Sequence, residues 1–191
     1  MTTQIRRSVV MALLCLVFFG LAYPLAGTGI SQVLFKHQAD GSITSDGSTL
    51  IGQNWTSPKF FHGRPDDFGP YAGVGDNPLE ANGKAGVSGP TNLGPRSALL
   101  VNYTRELITY WHKMGVNPTP DLVTTSGSGL DPDISPADAY AEIPMVSKAT
   151  GLSRKTLETL IARETHPAEL GFLGSPYIVV LQLNEALAKM E

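Results

Sequence analysis

From Ser8 to Phe35 the chain carries no charged residue, and its centre, Val9 through Ala22, is almost wholly apolar. No water-soluble domain tolerates such a stretch at its surface, so it must be buried in protein or placed in lipid. A hydrocarbon core about 30 Å thick takes roughly 20 helical residues. The segment supplies them, with Tyr23 where an interfacial aromatic belongs. A cleaved signal peptide has a similar charged start and apolar middle. The stretch Tyr23 to Gly29, however, offers no good small-x-small cleavage site ahead of a polar start, and Cys15 lies in mid-span, away from a lipoprotein cleavage position. The reading is therefore a retained anchor, with 1–7 as a cytoplasmic N-terminus, 8–30 as the transmembrane helix and 31–191 as an extracytoplasmic domain. Arg6 and Arg7 ahead of the span, against Lys36 alone soon after it, set that orientation by the positive-inside rule.

The remaining residues are numerous enough to bury one core without staples. The single cysteine excludes an internal disulfide and any zinc site built on cysteines. Beyond Arg6 and Arg7 there is no basic run, and the net charge of −3 makes nucleic acid an improbable partner. Gly and Pro together supply 34 of 191 residues, the mark of a loop-rich fold. The pattern predicts an α+β domain. Short strands are expected within Ser48–Trp55 and Lys59–Pro65, at Pro118–Val123, and as a buried strand over Tyr177–Leu183. A helix is expected from Pro95 at its first position to Gly115, with Leu100, Leu107, Trp111 and Met114 on one face. A second has Ser135 as N-cap and reaches Pro144, where it kinks or gives way to a new segment. A third has Ser153 as N-cap, with Leu152 and Leu157 placed as a hydrophobic staple. Ser126-Gly127-Ser128-Gly129 reads as a flexible turn. Asp66 to Pro95 is so long and polar a loop that it is a candidate docking surface.

The chain carries few of the motifs that catalysis or ligand binding requires. Gly83-Lys84 lacks the rest of a phosphate loop, and Ser128 has Ser126 where a nucleophile elbow needs Gly. His37, His62, His112 and His166 have no metal-site spacing and read as surface residues. Asp131, Asp133, Ser135 and Glu142 fall on positions 1, 3, 5 and 12 of a calcium loop. The required Gly at position 6 is replaced by Pro136, so the better reading is a turn followed by a helix cap. Asp66 with Asp67 and Asp131 with Asp133 are the only close carboxylate pairs that an exported enzyme would have to use.

Several phrases occur together and in order: Leu50-Ile51-Gly52-Gln53, Phe61-His62-Gly63-Arg64-Pro65, Ser88 to Pro95 (SGPTNLGP), Val123 to Pro136 (VTTSGSGLDPDISP), and Leu170-Gly171-Phe172-Leu173-Gly174 leading to Leu181 to Leu187 (LQLNEAL). These resemble the KdpC subunits of bacterial high-affinity potassium-transporting ATPases, over essentially the whole chain. The resemblance implies a non-catalytic accessory subunit in the plasma membrane, with potassium as the transported ion. Its partners would be a channel-like potassium-translocating subunit, a P-type catalytic subunit, and in addition a small single-span subunit. It also implies a catalytic chaperone that raises the affinity of the catalytic subunit for ATP, with no cofactor of its own and ATP held through the complex. Residues that the resemblance links to partner or nucleotide are Gln53, Arg64, Asn92, Ser126, Gly127, Ser128, Gly129, Asp131 and Glu142. The family commonly has Gln at the position of Glu142, Arg at Met145, and His or Asn at Asp133.

Two physical expectations accompany this. Arg64, between Gly and Pro, suits a clamp on carboxylates or backbone carbonyls, within the domain or across an interface. The outside domain, with 12 basic against 17 acidic residues, would modestly enrich cations near it. Nucleotide lies on the cytoplasmic side, so any influence on ATP affinity would have to pass through the span. The alternative is an anchored extracytoplasmic module that binds a small ligand.

Overall fold

The computed structural model describes residues 2–65 and 90–190. The chain forms two compact units, Met1–Ile43 and Thr44–Glu191.

The first unit is dominated by one helical rod over Thr2–Leu34, the one described helix long and apolar enough to cross a membrane. It consists of α1 (Thr2–Val17), a π-helical turn over Phe18–Ala22, and α2 (Tyr23–Leu34), followed by the short α3 (Lys36–Ala39). The widened turn has a local cause. Pro24 has no N–H to return to the carbonyl four residues back, and ahead of it the Tyr23 N–H bonds Phe18 O, five residues back. The rod is longer than the expected 8–30 because Arg6 and Arg7 do not end a helix; at about 1.5 Å per residue it exceeds the bilayer core. Its apolar side chains, among them Leu13, Leu16, Phe19 and Leu21, are exposed.

The second unit is built mainly of helices: α4 (Ala98–Lys113), a single turn α5 (Pro120–Val123), α6 (Pro136–Thr150), α7 (Arg154–Glu164) and α8 (Val180–Ala188). Two short strands, β1 (Asp133–Ile134) and β2 (Ile178–Val179), pair antiparallel with Ile134 opposite Ile178. Mixed helix and sheet is thus observed, with much less sheet than the sequence suggested. The core comprises Phe61, Leu107, Trp111, Leu122, Ile143, Leu157, Ile161, Ile178, Leu183 and Leu187, all essentially inaccessible.

Helix boundaries follow the punctuation residues. Ser153 caps α7 by accepting from Thr156 N–H, while Leu157 is buried and Leu152 packs against the core, as a staple requires. Ser135 caps α6 through a reciprocal box in which the Asp138 carboxylate accepts the Ser135 N–H at 2.9 Å. α6 continues through Pro144 without a break, so no new segment starts there, and ends at Gly151, whose φ of +78° suits glycine. α4 stops at Gly115, also at φ +78°, and buries Leu107 and Trp111 with Leu100 and Met114 packed beside them. Pro95 is not its first residue: a turn closed by Ser97 N–H on Gly94 O at 2.9 Å intervenes, and the helix starts at Ala98.

Of the four expected strands, Ser48–Trp55 forms none beyond a bridge residue at Ser48, and the other three are replaced over most of their length. Pro118–Val123 contains α5, because Pro120 occupies a first helical position with Asp121 in the same turn. Only Ile178–Val179 of Tyr177–Leu183 is strand; from Val180 the chain is helical, with Val180, Leu183, Asn184 and Leu187 buried at i, i+3, i+4 and i+7. Around Phe61 no strand forms, since side chains take the place of a neighbouring ladder. The Asn184 amide donates to Phe61 O at 2.8 Å and accepts from Phe61 N–H at 2.9 Å. The His62 N–H is likewise taken by Glu142, at 3.2 Å to each carboxylate oxygen.

Candidate functional site

The segment Phe61-His62-Gly63-Arg64-Pro65 has two sides, and each holds a different part of the unit. On the inner side His62 and Glu142 are both buried, and His62 Nδ1 lies 2.6 Å from Glu142 Oε2. The His62 ring meets the Trp111 indole edge-on at a centroid distance of 5.2 Å. Burial pushes the Glu142 carboxyl up from its ordinary value, and His62 partly opposes this. Tyr110 on the same helix as Trp111 is also pushed up, by burial and by the nearby Glu142. The reading of all four histidines as surface residues is therefore corrected at His62: its ring fills a hole between α4 and α6 that only long-range packing creates. His166 is half-buried too, stacked on Tyr177 at 4.9 Å.

On the outer side Arg64 reaches the loop after α5. Its Nη2 donates to Thr125 O at 3.1 Å and to Thr124 O and Oγ1 at 3.4 Å. The same guanidinium stands 3.6 Å from Asp121 Oδ1 and 3.6 Å from Asp131 Oδ2. Half-exposed ion pairs at that separation contribute little to stability, so the carbonyl bonds and the shape they impose matter more. Beyond Thr125 the serine-glycine turn is pinned: Ser126 Oγ accepts from Gly129 N–H at 3.0 Å and lies 3.1 Å from Ser128 Oγ. Gly129 sits at φ +66°, a left-handed conformation that suits glycine. Asp131 Oδ1 accepts from Asp133 N–H at 3.2 Å, which closes the turn into β1. Burial, with Asp131 alongside, raises the Asp133 carboxyl, and His166 opposes it. Burial likewise raises Asp138, against its bonds from Ser135.

Arg64, Ser126, Gly127, Ser128, Gly129 and Asp131 thus belong to one corner of the unit. Gln53 adjoins it through Gly52, whose N–H donates to Leu130 O at 2.8 Å, while the Gln53 amide donates to Ser48 O at 3.3 Å. Asn92 is exposed, at φ +52°, with its amide donating to Pro90 O. Glu142, expected at a position linked to partner or nucleotide, is wholly buried and faces inward. Asp66, Asp67 and most of the Asp66–Pro95 docking stretch lie outside the described residues. Among the described residues no group of three His, Cys, Asp or Glu side chains is placed to hold a metal. Of the calcium-loop positions, Ser135 and Glu142 are spent on the helix cap and on His62. His62, Trp111 and Asn184 are the contributors that motif reading passed over. Trp111 had a local signal, its place on the apolar face of α4; Asn184 becomes legible only once Val180–Ala188 is seen to be helical.

The close approach at Gly52 is testable. A Cβ there would stand 2.6 Å from Asp131 O, a backbone atom that cannot swing aside. Gly52→Ala is expected to cost about 1–3 kcal/mol, the usual penalty of overpacking, read as a lower urea midpoint at unchanged slope.

A family model described as "KdpC: K+-transporting ATPase, c chain" matches residues 5–189. The potassium-transporting ATPase KdpC subunit of Allorhizobium ampelinum is 40% identical over 196 residues, covering 98% of this chain and 96% of the relative. That of Caulobacter vibrioides is 41% identical over 195 residues, covering 98% and 93%. That of Bacillus cereus is 41% identical over 186 residues, covering 92% and 90%.

Proposed function

The chain belongs to the KdpC family, the c chain of K+-transporting ATPases, and on that premise we propose that it is the accessory subunit that holds a potassium-translocating and an ATP-hydrolysing partner in a working complex. The helix over Thr2–Leu34 anchors it in the plasma membrane with Arg6 and Arg7 on the cytoplasmic side, and residues 31–191 stand outside. The observation that carries this reading is the pairing of a full-length family match with one exposed apolar rod joined to a separately packed unit. A single span cannot build an ion filter of its own, so the chain acts through its partners. It raises the affinity of the catalytic subunit for ATP as a coupling free energy carried through the membrane, with nucleotide bound on the other side by the partner. The braced corner around Arg64 gives the outer unit a fixed shape for that purpose.

The test is a tagged chain, expressed with its native neighbours under potassium starvation and purified in mild detergent. The expected result is an uncleaved N-terminus by intact mass, co-purification of two larger membrane chains, and potassium-stimulated ATPase. Omitting the chain should raise the KM for ATP of whatever complex remains by about 5–150-fold, the usual range of allosteric coupling. A cleaved, solitary chain with no associated ATPase would sink the reading.

A further inference from the structure

The membrane rod carries a polar atom that the chain itself does not satisfy. In the π-helical turn over Phe18–Ala22 the Tyr23 N–H bonds Phe18 O. The two residues whose N–H could serve Phe19 O are therefore Tyr23, already engaged, and Pro24, which has none. Side chains do not make up the loss. Between Ser8 and Thr28 only Cys15 and Tyr23 carry a side-chain donor. A helical side chain bonds the carbonyl about four residues before it, so Cys15 serves the wrong turn. The Tyr23 hydroxyl is held out at the end of a rigid ring on an exposed residue.

Depth makes the open carbonyl costly. Phe19 follows Arg7 by 12 residues, which is about 18 Å of helix. With Arg7 at the cytoplasmic surface, that lies well inside a hydrocarbon core about 30 Å thick. Lipid tails offer no donor there and water does not reach it, so an unbonded peptide oxygen is strongly disfavoured. The backbone is also open to a neighbour. Phe19 O belongs to the peptide that leads into Gly20, and a Cβ built on Gly20 would meet only Leu16 Cδ1, at an ordinary 3.5 Å. A second helix can therefore come close enough to bond that oxygen.

We infer that Phe19 O accepts an interhelical hydrogen bond, and that its donor is a hydroxyl or amide side chain on a transmembrane helix of the potassium-translocating chain. This rests on the accessory-subunit reading and deepens it by naming the point at which the span engages. Chemistry selects that chain among the partners. A potassium path must replace the ion's hydration shell with oxygen atoms within the membrane, so the chain that forms it carries polar side chains at the depth of Phe19. ATP hydrolysis takes place on the cytoplasmic side and sets no such requirement within the membrane.

The experiment uses the whole complex, co-expressed and purified in mild detergent, with the chain alone in neutral lipid vesicles as the reference. Both are prepared with phenylalanine isotope-labelled at its carbonyl carbon. Subtracting the spectrum of a Phe19→Leu chain labelled in the same way isolates position 19 in the infrared. Alone, the Phe19 carbonyl should absorb as an unbonded amide; in the complex its band should move down to that of a bonded one. A benzophenone side chain in place of Phe19 should crosslink to the potassium-translocating chain. Gly20→Leu, which covers the carbonyl without adding a polar atom, should bind the larger chains about tenfold more weakly at unchanged helix content. An unshifted band in an intact complex, a bonded band already present in the chain alone, or crosslinks only to lipid or to the ATP-hydrolysing chain would overturn the proposal and leave the accessory-subunit reading standing. Failure of the unsubstituted chain to recover the larger chains would overturn both.

Discussion

Replacing Glu142 by alanine is expected to destabilise the 44–191 unit by about 3–5 kcal/mol, because one member of a buried pair is removed and the other is left without its partner. Three bonds are lost together: the 2.6 Å contact to His62 Nδ1 and the two that hold the His62 backbone N–H. His62 Nε2 already lacks a partner among the described residues, so the ring would be buried with neither nitrogen engaged. The loss is a large share of the 5–15 kcal/mol that an ordinary domain holds in reserve. Glu142→Gln separates the causes. An amide carbonyl can still accept the His62 N–H, so its cost should stay within about 1.5 kcal/mol, the scale of one net hydrogen bond. The pH profile then discriminates. Burial raises the folded-state value of Glu142 above the ordinary 4.5, so between 4.5 and that raised value the folded protein binds more protons than the unfolded chain. Stability therefore falls as pH rises through that window and is flat with respect to this group below it. In Glu142→Gln that part of the fall disappears. Urea titrations of the full chain in detergent at several pH values, followed by tryptophan fluorescence, measure both. An alanine variant as stable as the parent would refute the account of the pair.

The second large effect is expected at Trp111. Trp111→Ala should cost about 3–5 kcal/mol, from lost burial and from the cavity that remains. The side chain is fully buried, its Nε1 donates to Leu122 O at 3.0 Å, and it supplies the edge against which His62 packs. Trp111→Phe restores much of the volume but strands the Leu122 carbonyl, for an expected cost of about 1–3 kcal/mol. Because Trp111 and Glu142 act on the same imidazole, the double alanine variant should lose less than the sum of the single losses. Additive losses would mean that the two residues stabilise the unit independently.

Trp111 was legible as part of the apolar face of its helix, but the contacts that join it to His62 and Glu142 were not visible locally. His62 meets Glu142 across 80 residues, and Phe61 meets Asn184 across 123. No periodicity or capping rule reports on pairs so far apart. A histidine beside glycine in a polar stretch looks like a surface residue until α4 and α6 close around it. The expected strands near Phe61 failed for the same reason, since the side chains of Asn184 and Glu142 satisfy the backbone that a ladder would otherwise hold. At Tyr177–Leu183 the apolar composition concealed a change of period: after Val179 the buried positions follow a helix. The resemblance drawn from ordered motifs identified the family correctly, because it rests on the identity of residues and not on their spatial arrangement. It also named most of the residues around Arg64, though not the bonds that bring them together.

What the sequence by itself determined is local or compositional. It set the apolar rod, because freedom from charge over a span's length can be read along the chain. It set the caps at Ser135 and Ser153 and the stop at Gly115, because these depend on one residue and its immediate backbone. The tertiary structure alone decided that Arg64 braces the turn from Thr124 to Asp131 and that His62 and Glu142 share a buried contact. Those outcomes depend on which distant surfaces meet, and that is settled only when the whole core packs.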